Sequence, residues 1–226
     1  MTSKLKILAL ALAATFALGA VASSASAYQL HSGSGSGTTY LTAQQVSANN
    51  ILHTPAGTIK CSGASGKGSF TGSTAPQGTV ENVALSGCTA FGLTMHVDTM
   101  GCDFLITGNG ATSGILHIVC PTTAGGVTDE ITVLPTQGGV PVCQLDVPEQ
   151  TTSIVIGNTG SPPDDIHNSL ANETNLTYSV TYTPADHTKT KCGTQGVHHD
   201  GGLTSTITVK AYSDASHTTQ VNLTYQ

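Results

Sequence analysis

Arginine and tryptophan are absent from this chain, charged side chains make up 9% of its 226 residues and aromatic ones 4%. Each absence removes a class of function. With thirteen acids against seven lysines and no arginine, the chain cannot build the phosphate-neutralising surface that nucleic acid requires. It is equally poor at adhering to anionic lipid. Without tryptophan it lacks the exposed platform on which many carbohydrate sites depend. There is no Cys-x-x-Cys pair, so neither redox catalysis nor a zinc knuckle has its spacing. His-Glu-x-x-His is also missing, which removes the zincin motif. Low charge here does not imply disorder, because β-branched residues are abundant.

The N-terminus has the pattern of a secretory signal peptide over residues 1–27. Lys4 and Lys6 form a positive start, Ile7 to Ala22 an apolar stretch, and Ala25-Ser26-Ala27 a small-x-small cleavage site. The mature chain is therefore expected to begin at Tyr28, with five lysines against thirteen acids, a formal charge of −8. After residue 27 no apolar run reaches the length of a membrane span, so no membrane insertion is expected after cleavage and the localisation reads as secreted, extracellular. All six cysteines, Cys61, Cys88, Cys102, Cys120, Cys143 and Cys192, lie in the mature part. An even count in an exported chain favours disulfides. Many pairings are open in principle, but two are suggested locally. Cys61 and Cys88 bracket a Gly/Ser/Thr-rich excursion. Cys102 and Cys120 flank Asn109-Gly110, a strong turn dipeptide. Cys143 is then left with Cys192.

Residues 32–39 read Ser-Gly-Ser-Gly-Ser-Gly-Thr-Thr, so 28–40 is expected to be a flexible linker. Beyond it, Gly, Pro, Asn and Ser punctuate the chain about every ten residues, and the apolar residues alternate between the breaks. Leu176, Tyr178, Val180 and Tyr182 alternate with hydroxyl residues, as do Leu203, Ser205, Ile207, Val209 and Ala211. Period-two patterning with one wet face predicts an all-β, antiparallel sandwich or barrel. The reading adopted is a disulfide-stabilised β-sandwich, Ig-like or jelly-roll-like, spanning 41–226 as one domain and preceded by the signal helix. Residues 41–52 have room for a turn or two of helix. Gly157 to Asn172 is expected to be a long surface loop, crossed by one disulfide.

Few segments of the chain carry a pattern of reactive residues. Gly63-Ala64-Ser65-Gly66-Lys67 fails as a nucleophile elbow at its fifth position, and Gly66-Lys67-Gly68 lacks the residues of a phosphate loop. Asp186-His187 and His198-His199-Asp200 form the densest group of metal-ligand types, which makes His187, His198 and Asp200 the metal candidates. The competing interpretation of this group is an exposed polar loop. Asp129-Glu130, Asp146 with Glu149, and Asp164-Asp165 are the carboxylate pairs a glycoside hydrolase would need, and none has a motif around it. No calcium-loop pattern is present. His96 is expected on a wet face and His117 in a half-buried strand. The hydroxyl ladder of Thr204, Thr206 and Thr208, with Thr177, Thr181 and Thr183, is expected to face solvent, as β propensity alone requires.

Gly101-Cys102, Val119-Cys120-Pro121, the Cys143 to Pro148 segment and Cys192-Gly193 resemble a loose group of exported, cysteine-containing, β-rich actinobacterial proteins of unknown function. The resemblance covers about residues 55–210. It implies an extracytoplasmic, disulfide-bonded β protein and carries over no catalytic residues. The expected role is that of a secreted, non-catalytic protein of the cell envelope or exterior, in adhesion or ligand binding, with a cell-surface or glycan partner and no cofactor. The alternative is a secreted hydrolase with a carboxylate or His/Asp metal site.

Overall fold

The computed structural model describes residues 28–46, 50–123, 126–158, 163, 165–182 and 192–226. The signal segment 1–27 and His187 lie outside them. Among the described residues the chain forms strands and no helix. In order they are β1 (Leu30–Ser32), β2 (Thr38–Gln45), β3 (Asn50–Thr54), β4 (Gly57–Thr71), β5 (Thr74–Ala75), β6 (Gln77–Ala90), β7 (Leu93–Asp98), β8 (Asp103–Gly110) and β9 (Ser113–Val119). They continue as β10 (Ile131–Gln137), β11 (Val140–Pro141), β12 (Cys143–Val147), β13 (Gln150–Asn158), β14 (Ile166–Tyr182), β15 (Gly196–Tyr212), β16 (Gln220–Val221) and β17 (Leu223–Tyr225).

All pairings between these strands are antiparallel, and the main path closes on itself. Four strands are long, β4 and β6 with 15 and 14 residues, β14 and β15 with 17 each. At about 3.3 Å per residue they run roughly 45–55 Å. The other staves are each made of two short strands set end to end against the same neighbours. Both β2 and β3 lie between β4 and β15. Next to β6, β7 pairs over its last residues and β8 over its first. Alongside these, β9 pairs with β8 and β10 with β7. The following stave is β12 with β13, and both of its halves pair with β14. Counting each split pair once gives eight staves, each bonded to the stave next in sequence, with β15 returning to β2 and β3.

The sequence pattern led to two facing sheets of a sandwich. Among the described residues the pairing is instead a single sheet whose eight staves close into an up-and-down barrel, each with a neighbour on both sides, and with short β11 and β16 attached at its margins. Period-two patterning cannot separate these outcomes, because both bury one face of every strand. The outer faces of β4 and β6 carry exposed Lys60, Ser62, Lys67, Ser69, Glu81 and Ser86. They are not the apolar band of a membrane-spanning barrel.

The segment expected as a linker is part of the fold. Leu30–Ser32 is β1, central in a three-stranded sheet with β17 and β5, and Thr38–Tyr40 opens β2. The Gly/Ser run between them is a turn in which the hydroxyls satisfy one another. Buried Thr39 donates to Ser32 Oγ at 2.8 Å and its hydroxyl also meets Ser34 Oγ, while Ser34 N donates to Ser32 Oγ at 3.1 Å. This small sheet plugs one end of the barrel with Leu30, Ala75, Leu223 and Tyr225. The Asn158 amide brackets the Tyr225 backbone at 2.8 and 3.0 Å, and Tyr225 Oη donates to the Ser113 carbonyl at 3.1 Å. Gly108 sits under the Tyr225 ring, where a Cβ would collide.

Residues 41–45 and 50–52 are strand, not helix. The expected 157–172 loop is mostly strand too: β13 runs to Asn158 and β14 starts at Ile166. Three disulfides join Cys61 to Cys88, Cys102 to Cys120 and Cys143 to Cys192. The first links directly opposed residues of β4 and β6. The last ties the start of β12 to the approach to β15. Disulfides of this kind belong to an oxidising, extracellular-type environment. No described helix is long and apolar enough to cross a membrane.

Candidate functional site: an apolar lumen at the seam of the barrel

The core divides into two clusters. One, around Ile154, Ile156, Ile166, Val209 and Leu223, fills the half enclosed by β2, β8, β9 and β13. The other, around Met95, Val133, Cys143, Leu145 and Val180, fills the half enclosed by β3, β7, β10 and β12. Where the halves meet, four staves are interrupted. The two continuous pairs are irregular at that height as well. β4 and β6 shift register between Ser65 and Lys67, beside Asn82 with φ 52°, and β14 and β15 shift repeatedly between Leu170 and Tyr178. A belt of breaks and bulges therefore circles the molecule at mid-height.

Inside this belt lies a cavity of about 170 Å³. Its lining comes from both sides of every interrupted stave: Ala43 and Leu52, Val97 and Phe104, Ile118 and Ile131, Val147 and Gln150. The continuous strands add Ala64, Leu85, Leu176 and Ile207 among others. Among the described residues no lysine, histidine or carboxylate lines it; Ser65, itself exposed, Ser205 and Gln150 border it, and its surface is almost wholly apolar. An eight-stranded barrel is wide enough inside to be filled by side chains or to hold one small ligand. This barrel does the first at its ends and leaves room for the second in the middle.

Side chains mend the wall where backbone pairing lapses. Gln45 Nε2 donates to the Cys61 carbonyl at 3.4 Å, and Thr99 Oγ1 to that of Val83 at 2.9 Å. Cys120 N donates to Glu149 Oε1 at 2.7 Å. The most complete substitute is Gln150. Its Nε2 donates to the Thr177 carbonyl at 3.2 Å, while its Oε1 accepts from Thr177 N at 3.0 Å. One side-chain amide thus stands where a paired peptide unit would be, satisfying two backbone groups otherwise left open.

The residues singled out by sequence are elsewhere. His198 stacks on Tyr178, ring centroids 4.9 Å apart, and its Nε2 lies 2.8 Å from the Thr194 carbonyl. Asp200 accepts from Tyr178 Oη at 3.3 Å. Burial, then the charge of Asp200, pushes the Tyr178 pKa up to about 12. His198 and Asp200 are thus engaged by one buried tyrosine, and His187 lies outside the described residues. Among the described residues no three His, Cys, Asp or Glu side chains come together as a metal set. Glu130 and Asp146 do approach: burial first, then Asp146, raises the Glu130 pKa. Asp146 is already bonded to Thr132 and Gln144 at 2.8–3.0 Å, and neither acid reaches the cavity. Asp129 shows no part in this pair, and Asp164 is outside the described residues. His96 is exposed, and His117 is half-buried against Thr151 Oγ1 at 3.1 Å. In the hydroxyl ladder Thr204 and Thr206 are half-buried and Thr208 is buried, so this face is less wet than propensity suggested.

Gln150 and the lumen residues were missed by motif reasoning, because apolar strand residues read as filled core whether or not they meet at the centre. The one available signal was the small-residue run Ala64-Ser65-Gly66 inside a strand, which leaves space opposite it. No protein-family model matches the chain, and neither the curated proteins nor the solved structures yield a match. Fold and site together define a disulfide-tied, antiparallel β-barrel with an apolar lumen.

Proposed function

We propose that this is a secreted, non-catalytic bacterial protein of the cell exterior whose barrel lumen binds a small ligand. The observation that carries the reading is the cavity of about 170 Å³ enclosed by a closed, disulfide-tied sheet and lined by apolar side chains from every stave. Ligand sites are concave and mostly apolar, and this one is almost wholly so. The leader-like residues 1–27 and the three disulfides support export, and the cysteine-flanking motifs support kinship with exported actinobacterial β-rich proteins. Catalysis is disfavoured by the separation of the described carboxylates and imidazoles from the cavity. Saturable xenon binding, followed by NMR on the oxidised protein of residues 28–226, tests the lumen. The expected result is one site per chain, and shifts that rise linearly without saturating overturn the reading. Export is tested by intact mass of the secreted species, which should start at Tyr28; retained Met1 contradicts it.

A further inference from the structure

We infer that the lumen takes an uncharged, compact ring compound, of a size between benzene and indole, with at most one hydrogen-bond donor. This rests on the lumen reading above and goes further by assigning the ligand class. Size comes first. An engineered cavity of about 150 Å³ lined by apolar residues stays dry and binds benzene. The cavity here, at about 170 Å³, is of that order.

Charge is decided by the walls. A buried carboxylate needs a cation or several donors, and a buried ammonium needs an anion. Neither is present in the lining. Lys60 and Lys67 point outward from β4 and are exposed, and Lys210 lies 3.7 Å from Asp165. Fatty acids and other organic anions therefore lack the partner they require.

Shape is decided by the ends. Leu41, Ile156 and Leu223 fill the lumen on one side, and Met95, Leu145 and Val180 on the other. The space is a chamber at the seam and not a tunnel, so an extended alkyl chain does not fit while a ring does. The limit on donors follows from the walls, which are almost entirely apolar: the Gln150 amide is held on the Thr177 backbone, so each donor on the ligand would be buried without a partner.

The test is calorimetry and thermal denaturation of the oxidised protein with toluene, indole, benzoate and decanoate, alongside xenon. Toluene and indole are expected to bind one per chain and to raise Tm, with benzoate and decanoate at least tenfold weaker. Ala43→Leu, which pushes a larger side chain into the chamber, should abolish toluene binding. If that variant does not fold, displacement of xenon by toluene in the unsubstituted protein tests the same location. Benzoate or decanoate binding as tightly as toluene overturns the assigned class and leaves the lumen reading standing. Entry of xenon with neither ring compound bound does the same, and exclusion of xenon overturns both.

Discussion

Replacing Gln150 isolates the contribution of a side chain that substitutes for a strand. In Gln150→Ala the Thr177 N–H and C=O lose the partners they hold at 3.0 and 3.2 Å. A buried donor or acceptor left unmade costs about 1–3 kcal/mol. Thr177 is half-buried, so water relieves part of this, and the expected loss is about 2–4 kcal/mol for the two groups together. Gln150→Glu separates the two bonds. Its carboxylate can still accept from Thr177 N, but it opposes the Thr177 carbonyl and abuts an apolar lumen. Both effects disfavour the charged form and raise the folded-state pKa above the ordinary glutamate value of about 4.3. A group raised on folding stabilises below its unfolded pKa and loses that contribution as pH rises through its folded pKa. The glutamate variant should therefore approach the parent in stability near pH 4 and fall below it at pH 7. Urea denaturation at the two pH values measures this, with hydrogen exchange of the Thr177 amide as the local readout. Unchanged Thr177 protection in Gln150→Ala, or a glutamate variant with the parent's pH dependence, would refute the reasoning.

Tyr178 should make the fold sensitive to alkali. Its pKa lies at about 12 against an ordinary 10.0, so its contribution is complete below pH 10 and lost as pH rises toward 12. Tyr178→Phe should remove that part of the alkaline transition, and an unaltered profile between pH 10 and 12 counts against it. The Cys143–Cys192 bridge closes a separation of 49 residues, worth about 4 kcal/mol in the chain-entropy model, out of a typical margin of about 5–15 kcal/mol. The double Cys143→Ser, Cys192→Ser variant should lose a large part of its stability and exchange first in β14 and β15; unchanged protection there contradicts the assignment.

What could be read from sequence was the local alternation, and what could not was how the alternating strands closed. Leu176, Tyr178 and Val180 were legible as inward residues and are buried, and a hairpin between Cys102 and Cys120 was legible too, although its turn falls at Ala111-Thr112, with Asn109 and Gly110 still in β8 beside a bulge. The all-β, antiparallel, disulfide-tied character followed from these signals. The closure of β15 onto β2 did not, because it joins residues 207–212 to 40–45 and leaves no mark in either segment. The Gly/Ser run before Thr38 departs from the spacer its composition suggests for a related reason. Its composition suits a free spacer, but two strands far away in sequence, β5 and β17, supply the partners that order its flank. The site was hidden more deeply still. Gln150 looks like any polar residue at a strand start until β14 is placed beside it, and no motif announces an amide used as a piece of backbone.

The cavity and the irregular belt have a single cause. In a regular barrel, inward side chains from successive strands pack in layers that interdigitate. Here, the inward parity of β6 changes partway. Gly78 and Val80 face in before Asn82, Val83 and Leu85 line the chamber after it, and beyond Gly87, with φ 57°, Cys88 and Ala90 face in on the first parity again. A bulge re-aims the side chains that follow it, up to the next irregularity. The inward residues of β6 at the belt are therefore out of phase with those on either side. Four staves avoid the conflict by stopping and restarting, at residues 45–50, 98–103, 119–131 and 147–150. At such a boundary the layers cannot interlock, so two separate clusters form and space is left between them. The positive φ at Asn82 and Asn175 marks where the two continuous pairs lose register at this height. The void thus belongs to the way two short barrels share four continuous strands, and the residues that hold the wall around it, Gln45, Thr99, Glu149 and Gln150, are placed at the breaks for the same reason.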